Sequence, residues 1–382
     1  MSVSLPANRT KVGFIGCGQI SGIYIETLRR MKNVEIAALA DAQPAAARAR
    51  AEQYGISRVV SVEELLADPE ILVVLNLTIP QAHAEITLAA LEAGKSVYNE
   101  KPLATTLGDA RRMLDFAAQK GLRVGCAPDP VLGAGLQTCR KLIDDGAIGQ
   151  VVGAVAFMMN RGPEGRKPGL VDTPTRRRLT PKDPSFYFQP GLGPMFDMGP
   201  YYLTTLALLA GPVRRVTGSA QISYTERRAP GGEPFRVNTP SFISGVLDHA
   251  SGAVSTIITT SDVWPTPLPR IEIYGSEGSL QVPDPNFFDG PVLIRGPFED
   301  EWREAPLTHG YRPNSRGLGV ADLASAVRSG RPHRASGELA YHVLEVMHGI
   351  HDASREGRHV EIASDFVRPP AMPTDLVDSE ID

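Results

Sequence analysis

A glycine-containing loop between an apolar run and a helical run constrains the fold of this chain more than any other feature. The apolar run Val12–Ile15 is followed by Gly16, Gly18 and Ser21 in the pattern G-x-G-x-x-S, and then by the helical run Ile23–Met31. Such a loop lets the backbone approach a phosphate, while the helix N-terminus supplies N–H groups and partial positive charge. The pattern predicts a dinucleotide-binding turn after a strand of a parallel sheet.

An acidic residue after the second apolar run supports this interpretation. Val34–Ala40 is followed by Asp41, 23 residues after Gly18, close to where a carboxylate contacts the adenosine ribose in such folds. The same charge repels a 2′-phosphate, and Ala42 and Gln43 provide no cation, so we predict NAD rather than NADP as the cofactor. The alternative is an ordinary glycine turn with an unrelated carboxylate.

The first third of the chain alternates short apolar runs with helical patterns, which is typical of a parallel sheet with crossover helices. After about Ala127, β-branched and alternating stretches without long helical spacers favour a mostly antiparallel sheet, with helices at Gly319–Arg328 and Ser336–Glu356 on one face. The predicted strands are Val12–Ile15, Val34–Ala40, Ile71–Leu77, Ser96–Tyr98, Arg123–Cys126, Val151–Met159, Val213–Tyr224, Phe242–Leu247, Val254–Thr260 and Arg270–Tyr274. We expect an α/β chain with a doubly wound Rossmann domain in residues 1–127 and an α+β domain with an open sheet in residues 128–382.

The net charge and the cysteines indicate which kind of ligand this protein binds and in which cellular compartment we expect it. A net charge of −4 without a strong asymmetry of sign argues against a nucleic-acid or membrane surface and favours a small neutral or modestly charged ligand. Cys17, Cys126 and Cys139 lie far apart, so neither a disulfide framework nor a zinc site is indicated. Residues 1–10 lack the apolar core of a signal peptide, and no run approaches the roughly 18 apolar residues of a membrane span. We therefore expect a cytoplasmic protein.

Lys101 is the first candidate for chemistry. It follows the predicted strand Ser96–Tyr98 and so lies at the carboxyl edge of the sheet, where ligands of doubly wound folds bind. A lysine at that edge can donate a proton to a substrate oxygen or, with a lowered pKa, accept the proton of a hydroxyl as hydride leaves. The alternative is a surface ion pair between Glu100 and Lys101.

Asp197 and Tyr201 form a second candidate pair. Their i, i+4 spacing places both on one helix face, where they could converge on one substrate, provided that the helix continues through Pro200. Core packing of the tyrosine is the alternative. Upstream, Arg161–Gly193 is rich in Pro, Gly and Arg without periodicity, which is typical of a segment that lines a site. The cluster Arg176–Arg178 within it could bind an anionic substituent or lie in a solvated loop.

Several motifs in this order resemble those of the glucose–fructose oxidoreductase, inositol dehydrogenase and MocA (Gfo/Idh/MocA) family. The resemblance runs from about Lys11 to His359, and its motifs are Gly16–Ser21, Pro80–His83, Gly94–Val97, Glu100–Leu103, Leu142–Ile143, Gly146–Gly149 and Gly193–Tyr201. It implies an N-terminal Rossmann domain, a C-terminal domain with an open, largely antiparallel sheet, and NAD(P)-linked oxidation of sugars, cyclitols or their derivatives. It also implies a homo-oligomer.

The resemblance assigns catalytic roles. Lys101 matches the family's Glu-Lys-Pro lysine and Asp197 its second-motif aspartate, whereas Tyr201 stands where the family usually has a histidine. Tyrosine, with an ordinary pKa of about 10, is a poorer base than histidine at about 6.5, so we expect Tyr201 to orient the substrate or to relay a proton with Lys101. The expected cofactor-binding residues are Gly16, Gly18, Gln19, Ile20, Asp41, Thr78, Pro80, His83, Glu100 and Lys101. For His83, a purely structural role stays open.

Three functions remain open from the sequence. The first is an NAD-dependent dehydrogenase that acts on a secondary alcohol or ketone of a sugar-like molecule. The second is a transient-redox enzyme in which oxidation acidifies a neighbouring C–H bond, elimination or hydrolysis of a glycoside follows, and the cofactor is restored. The third is a non-catalytic nucleotide sensor. The remaining histidines show no metal-binding spacing, so we predict no metal site.

Assembly can also be predicted from the second sheet. Helices on one face would leave the other face exposed, and its apolar side chains would form a larger patch than soluble monomers usually carry. A second copy that packs sheet against sheet would cover it, in a homodimer or homotetramer. The residues predicted to form this patch are Val151, Val155, Phe157, Val254, Ile257 and Ile273.

Overall fold

The computed structural model describes residues 9–162, 184–189, 191–228, 232–264 and 266–382; the Arg176–Arg178 cluster lies outside them. Its contacts divide the chain into two compact units. The first unit contains residues 9–132, 309–340 and 372–382, and the second contains residues 133–308 and 341–371. The division near residue 132 lies five residues after the expected domain boundary, and residues 309–340 and 372–382 also group with the first unit. The prediction that the helix Gly319–Arg328 covers the second sheet is therefore wrong: this helix packs against strands of the first unit.

The first unit is built on a parallel sheet that the described residues form with five strands. The strands are β1 (Thr10–Ile15), β2 (Val34–Ala40), β3 (Ile71–Asn76), β4 (Ser96–Asn99) and β5 (Val124–Cys126). They lie in the order β2-β1-β3-β4-β5, and all four pairings are parallel. Most of their residues are buried, as expected for strands covered on both faces. The predicted Rossmann-type sheet is confirmed, with strand ends within two residues of those expected.

The helices of the described residues differ in how their ends are capped. They are α1 (Ser21–Leu28), α2 (Pro44–Tyr54), α3 (Val62–Ala67), α4 (His83–Glu92), α5 (Leu107–Lys120), α6 (Ala134–Asp144), α7 (Pro194–Ala210), α8 (Leu318–Ser329) and α9 (Gly337–Glu356). At the start of α3, Ser61 Oγ accepts the N–H of Glu64, and the Glu64 carboxylate accepts the N–H of Ser61. At the end of α5, Gly121 has φ +67°, a left-handed conformation that favours glycine.

The second unit contains a mixed sheet that has nine strands in the described residues. The strands that follow β5 are β6 (Val151–Met159), β7 (Val213–Gln221), β8 (Glu226–Arg228), β9 (Pro234–Arg236), β10 (Phe242–His249), β11 (Val254–Thr260), β12 (Ile271–Gly275), β13 (Gly278–Val282), β14 (Val292–Arg295), β15 (Arg303–Ala305) and β16 (Val360–Glu361). The sheet order is β15-β14-β13-β12-β6-β11-β10-β7-β16, and only β6 and β11 pair in parallel within it, while β8 and β9 form a separate hairpin. The mostly antiparallel sheet is confirmed, although β13 to β16 were not predicted.

One face of this sheet packs against α9. A Cβ atom at Gly218 would lie 2.7 Å from Cγ2 of Ile350, and one at Gly245 would lie 3.0 Å from its Cδ1. Glycine at both positions therefore lets the helix approach the strands closely. In β6, Ala154 and Ala156 are buried, whereas Val155 between them is only half-buried. The sheet therefore has a helix-covered face and a more open face.

The prediction that Ile257 and Ile273 belong to the open face is wrong. Ile257 pairs with Ala156 and Gly245, and Ile273 pairs with Ala154. Residues directly opposite each other in neighbouring strands share a face, so both isoleucines point toward the helices. Both are 0% exposed. Val151, Val155, Phe157 and Val254 are half-buried or exposed, which fits the open face.

Candidate active site

The loop after β1 lies where the order of the parallel sheet reverses. Strand β1 lies between β2 and β3, so the connections that leave β1 and β3 diverge at the carboxyl edge and open a crevice there. Gly16 begins the loop with φ +102°, and a Cβ atom on it would lie 2.6 Å from the carbonyl oxygen of Leu77. The fold itself therefore requires glycine at position 16.

Gly18 has a different reason to be glycine. It is exposed, its φ is not positive, and a Cβ atom on it would meet nothing within 4 Å. The fold alone would tolerate a larger residue, whereas a phosphate approaching the backbone closely would not. Gln19 is exposed and Ile20 is half-buried at the start of α1, whose first N–H groups face the end of this loop. These residues fit a dinucleotide.

Asp41 follows β2 directly and holds the glycine loop. Its Oδ2 accepts the backbone N–H of Cys17 at 2.7 Å, and its Oδ1 accepts that of Gln43 at 2.8 Å. Each oxygen keeps a lone pair that could accept a ribose hydroxyl. Burial raises the pKa of the Cys17 thiol to about 12, with a contribution from the charge of Asp41 and an opposing one from Arg50. The thiol is therefore protonated at neutral pH and is no nucleophile.

The segment after β3 is fixed by buried polar contacts. Thr78 Oγ1 donates to Oδ1 of Asn76 at 2.7 Å, and Pro80 begins a short 3₁₀ turn, Pro80–Ala82. His83 is fully buried, with Nδ1 2.7 Å from the carbonyl oxygen of Pro102 and Nε2 3.1 Å from that of Thr78. Burial lowers the pKa of His83, against the opposing effect of the two carbonyls. This geometry favours the structural role for His83, and a cofactor contact stays a prediction.

Lys101 lies just beyond β4, at the same sheet edge as the glycine loop. The side chain of the preceding Glu100 turns back toward the protein: Oε2 accepts the backbone N–H of Lys101 at 2.9 Å, and Oε1 accepts the hydroxyl of Tyr24 at 2.8 Å. Tyr24 belongs to α1 and is fully buried. Glu100 thus connects the peptide that carries Lys101 to the helix that follows the glycine loop, while its expected cofactor contact stays a prediction.

Asp129 is a buried carboxylate, not identified from the sequence, that contacts the strand leading to Lys101. Asp129 is 1% exposed, and its two oxygens accept the hydroxyl of Tyr98 in β4 and the backbone N–H of Gly317 before α8. Burial raises the pKa of Asp129 to about 6, although these two hydrogen bonds and the charge of Arg316 act in the opposite direction. Its partner Gly317 lies 188 residues away, so no local pattern could have identified it.

In the second unit, Asp197 and Tyr201 lie one turn apart on α7. The helix is continuous from Pro194 to Ala210 and includes Pro200, so the condition for a shared face is met. Asp197 is half-buried in the first turn, and Tyr201 is 6% exposed. Gly193 precedes the helix with φ +96°, where a Cβ atom would lie 2.9 Å from Cγ2 of Thr239.

No group of three or more metal-ligating side chains occurs among the residues that the structure describes. His348 and His351, at i, i+3 on α9, pack instead against Phe196, with ring centroids 5.0 and 5.4 Å from its own. Burial lowers the pKa of His351 to about 4, and the charge of His348 acts in the same direction. These rings therefore belong to the helix packing of the second unit.

A parallel sheet with a glycine loop and a carboxylate at its switch point is typical of NAD(P)-linked oxidoreductases, and the chain falls into that class. Residues 10–127 match a family model described as "Oxidoreductase family, NAD-binding Rossmann fold", and residues 136–281 match one described as "GFO/IDH/MocA C-terminal domain". The chain belongs to the GFO/IDH/MocA oxidoreductase family.

Named relatives include sugar and cyclitol enzymes. The chain is 36% identical over 146 residues to 1,5-anhydro-D-fructose reductase of Ensifer adhaerens, which covers 38% of this chain and 44% of the relative. It is 34% identical over 154 residues to inositol 2-dehydrogenase/D-chiro-inositol 3-dehydrogenase of Lactiplantibacillus plantarum, with coverage of 38% and 42%. These matches span less than half of each relative's length. A levoglucosan dehydrogenase in complex with NADH and L-sorbose superposes with a TM-score of 0.78 at 21% identity, covering 93% of this chain and 99% of that one, which shows the fold.

Proposed function

We propose that this protein is an NAD-dependent dehydrogenase that interconverts a secondary alcohol and the matching ketone of a sugar, cyclitol or sugar derivative. The observation that carries the proposal is the position of Lys101, which lies beyond β4 at the sheet edge that also bears the glycine loop. The names of the relatives support the class of substrate. The dinucleotide supplies the hydride acceptor in one direction and the donor in the other.

In this proposal Lys101 is the general acid and base. In the oxidation, the neutral Nζ accepts the hydroxyl proton while the C–H hydrogen leaves its carbon with the electron pair, so the products are a ketone and an ammonium group on Lys101. In the reduction, the ammonium group returns this proton to the oxygen as the carbon receives hydride. The backbone contact between Lys101 and Glu100 fixes where the lysine side chain begins.

Asp197 and Tyr201 are proposed to bind substrate hydroxyls. A carboxylate accepts hydrogen bonds from vicinal hydroxyls, and a phenol can both donate and accept, so one turn of helix would present complementary groups to a polyol. Because tyrosine is a poor base at neutral pH, Tyr201 orients the substrate or relays a proton in this scheme, and Lys101 keeps the acid–base role.

The test is a panel of sugars, cyclitols and their ketones, assayed with NAD and NADH for a change in NADH absorbance. Turnover with a polyol or ketone partner supports the proposal. Product formation without accumulation of NADH would contradict it in favour of the transient-redox reaction. Binding of NADH without turnover or substrate-induced cofactor reduction over the whole panel would favour a nucleotide sensor.

We predict that NAD binds at least about tenfold more tightly than NADP, because the charge of Asp41 at the ribose position repels a 2′-phosphate. Titration calorimetry with NADH and NADPH measures the two dissociation constants. The Asp41→Asn variant, which removes the charge and keeps one acceptor, should bring them closer together. Tighter binding of NADPH by the wild type would contradict the prediction and would point to Arg48 or Arg50 as the missing cation.

We also propose that the open face of the second sheet pairs with a second copy of the chain, which gives a dimer or a tetramer. Val254 is 48% exposed, and Val151, Val155 and Phe157 are half-buried. Light scattering should give the mass of two or four chains, and Phe157→Lys should shift it toward one chain because it places a charge on this face. The matched variant Val367→Lys, at a residue that is 91% exposed, should leave the measured mass unchanged. A wild-type particle of 41.1 kDa at micromolar concentration would contradict the proposal.

A reducing, cytoplasmic location also stays a proposal. Its support is that Cys17, Cys126 and Cys139 are all free thiols and all buried. In the part of the chain that the structure describes, no helix is long and apolar enough to cross a membrane.

A further inference from the structure

A cation contacts the glycine loop from outside the sequence motif. Arg50 lies on α2, and its Nη2 donates to the carbonyl oxygen of Gly18 at 2.8 Å. Arg50 and Gly18 are 32 residues apart, and both Arg50 and Asp41 lie close enough to Cys17 to act on its thiol electrostatically. The loop therefore has a carboxylate at its first half and a guanidinium at its second.

The Gly18 carbonyl is held by three donors. Besides Arg50, it accepts the hydroxyl of Ser21 at 2.7 Å and the backbone N–H of Ser21 at 3.3 Å. A carbonyl oxygen that points toward a phosphate would repel it, whereas one engaged by donors on the protein side leaves the N–H groups of the loop for the anion. The contact from Arg50 thus stabilises the loop conformation that binds a phosphate and adds a positive charge beside it.

Further contacts hold the Arg50 side chain in place. Its Nη1 donates to Oε1 of Gln53 at 2.8 Å, and its guanidinium lies 5.8 Å from the ring centroid of Tyr54. A Cβ atom on Gly22 in α1 would lie 2.6 Å from the Tyr54 hydroxyl and 3.4 Å from Arg50 Nη1. Glycine at position 22 therefore gives the two side chains room against α1. The Arg50 Nε is buried and has no hydrogen-bond partner in the structure.

We propose that Arg50 is a positioning residue for the pyrophosphate half of the cofactor, acting through the Gly18 carbonyl and through its charge, and that it does not read the 2′ position. The proposal rests on dinucleotide binding by the glycine loop. Because both effects concern the diphosphate, they are common to NADH, NADPH and ADP-ribose and are independent of the nicotinamide ring.

The experiment compares Arg50→Gln with Arg48→Gln by titration calorimetry with NADH, NADPH and ADP-ribose. Arg48 lies on the same helix and is exposed, so its replacement makes the same change of charge without the loop contact. We expect Arg50→Gln to raise all three dissociation constants about tenfold and by a similar factor, and Arg48→Gln to change them less than about twofold. The Arg50 effect should shrink as ionic strength rises from about 0.1 M to about 1 M, because the Debye length falls from about 10 Å to about 3 Å.

The conservative variant Arg50→Lys keeps the charge and should recover part of the affinity, which also protects the test if Arg50→Gln is poorly folded. Equal dissociation constants for the Arg50→Gln and Arg48→Gln variants would overturn the proposal. So would an effect confined to NADPH, which would make Arg50 a 2′-phosphate ligand, or a loss of affinity that salt does not change. A wild-type chain that binds none of the three ligands would contradict dinucleotide binding itself, so the two failures are distinguishable.

Discussion

Replacing Lys101 by alanine is expected to slow turnover by about 10²–10⁴-fold, which corresponds to about 3–5 kcal/mol of transition-state stabilisation. The affinity for NADH should stay within about twofold of the wild type, because the loss falls mainly on proton transfer, and the glycine loop and the other expected cofactor-binding residues still hold the dinucleotide. Single-turnover kinetics with the substrate identified in the panel measure the first effect, and titration calorimetry measures the second.

Two further variants make this result specific. Lys101→Arg keeps a positive charge but cannot act as a base, so it should recover little activity. Lys120→Ala removes another lysine of the same unit, 41% exposed in its side chain, and should leave turnover unchanged. Near-normal turnover in either Lys101 variant would remove the lysine from the mechanism. Comparing the circular dichroism of each variant with that of the wild type distinguishes lost chemistry from a lost fold.

The elements with strong local signals are those that the sequence predicted well. The glycine loop depends on residues that are adjacent in the sequence, and the strand before it and the helix after it were both predicted. The same holds for the helix expected from Ser336, whose hydroxyl accepts the N–H of Leu339 at the start of α9. The short strands β14, β15 and β16 have two to four residues each and so carry no measurable periodicity.

The parts that were missed depend mostly on contacts distant in sequence. Val254 and Ile257 lie three residues apart on β11 and therefore face opposite sides of the sheet, which alternation alone shows. The side of Ile273 depends on its register with Ala154 in β6, which the sequence does not indicate. Tyr24 and Glu100 are 76 residues apart, and only the fold brings the hydroxyl to the carboxylate. The motif therefore identified Lys101 as a candidate but gave no information on what fixes its backbone.

The buried ion cluster around Asp322 leads to the second large expected effect, this one on stability. Asp322 lies on α8 and is 0% exposed; its carboxylate accepts the Arg331 Nη2 at 2.9 Å, the Arg334 backbone N–H at 2.5 Å and the Arg334 guanidinium. The Arg334 side chain is only 7% exposed. Asp322→Ala would leave this cation buried and without its main partner, so we expect a loss of about 3–5 kcal/mol in the free energy of unfolding.

Hydrogen exchange can localise this loss. Exchange protection of α8 should fall about a hundredfold or more in Asp322→Ala, and Asp322→Asn, which can still accept one hydrogen bond, should give an intermediate value. The control is Asp352→Asn: Asp352 pairs with Arg355 at 2.8 Å, but the two side chains are 35% and 70% exposed, so the change should cost less than about 1 kcal/mol. Asp382 lies 3.6 Å from Arg334 and is 42% exposed, which is too much solvent contact for it to replace the buried carboxylate. If Asp322→Ala unfolds at the same urea concentration as the control, Arg334 must find another partner or water, and the cluster contributes no more than a surface ion pair.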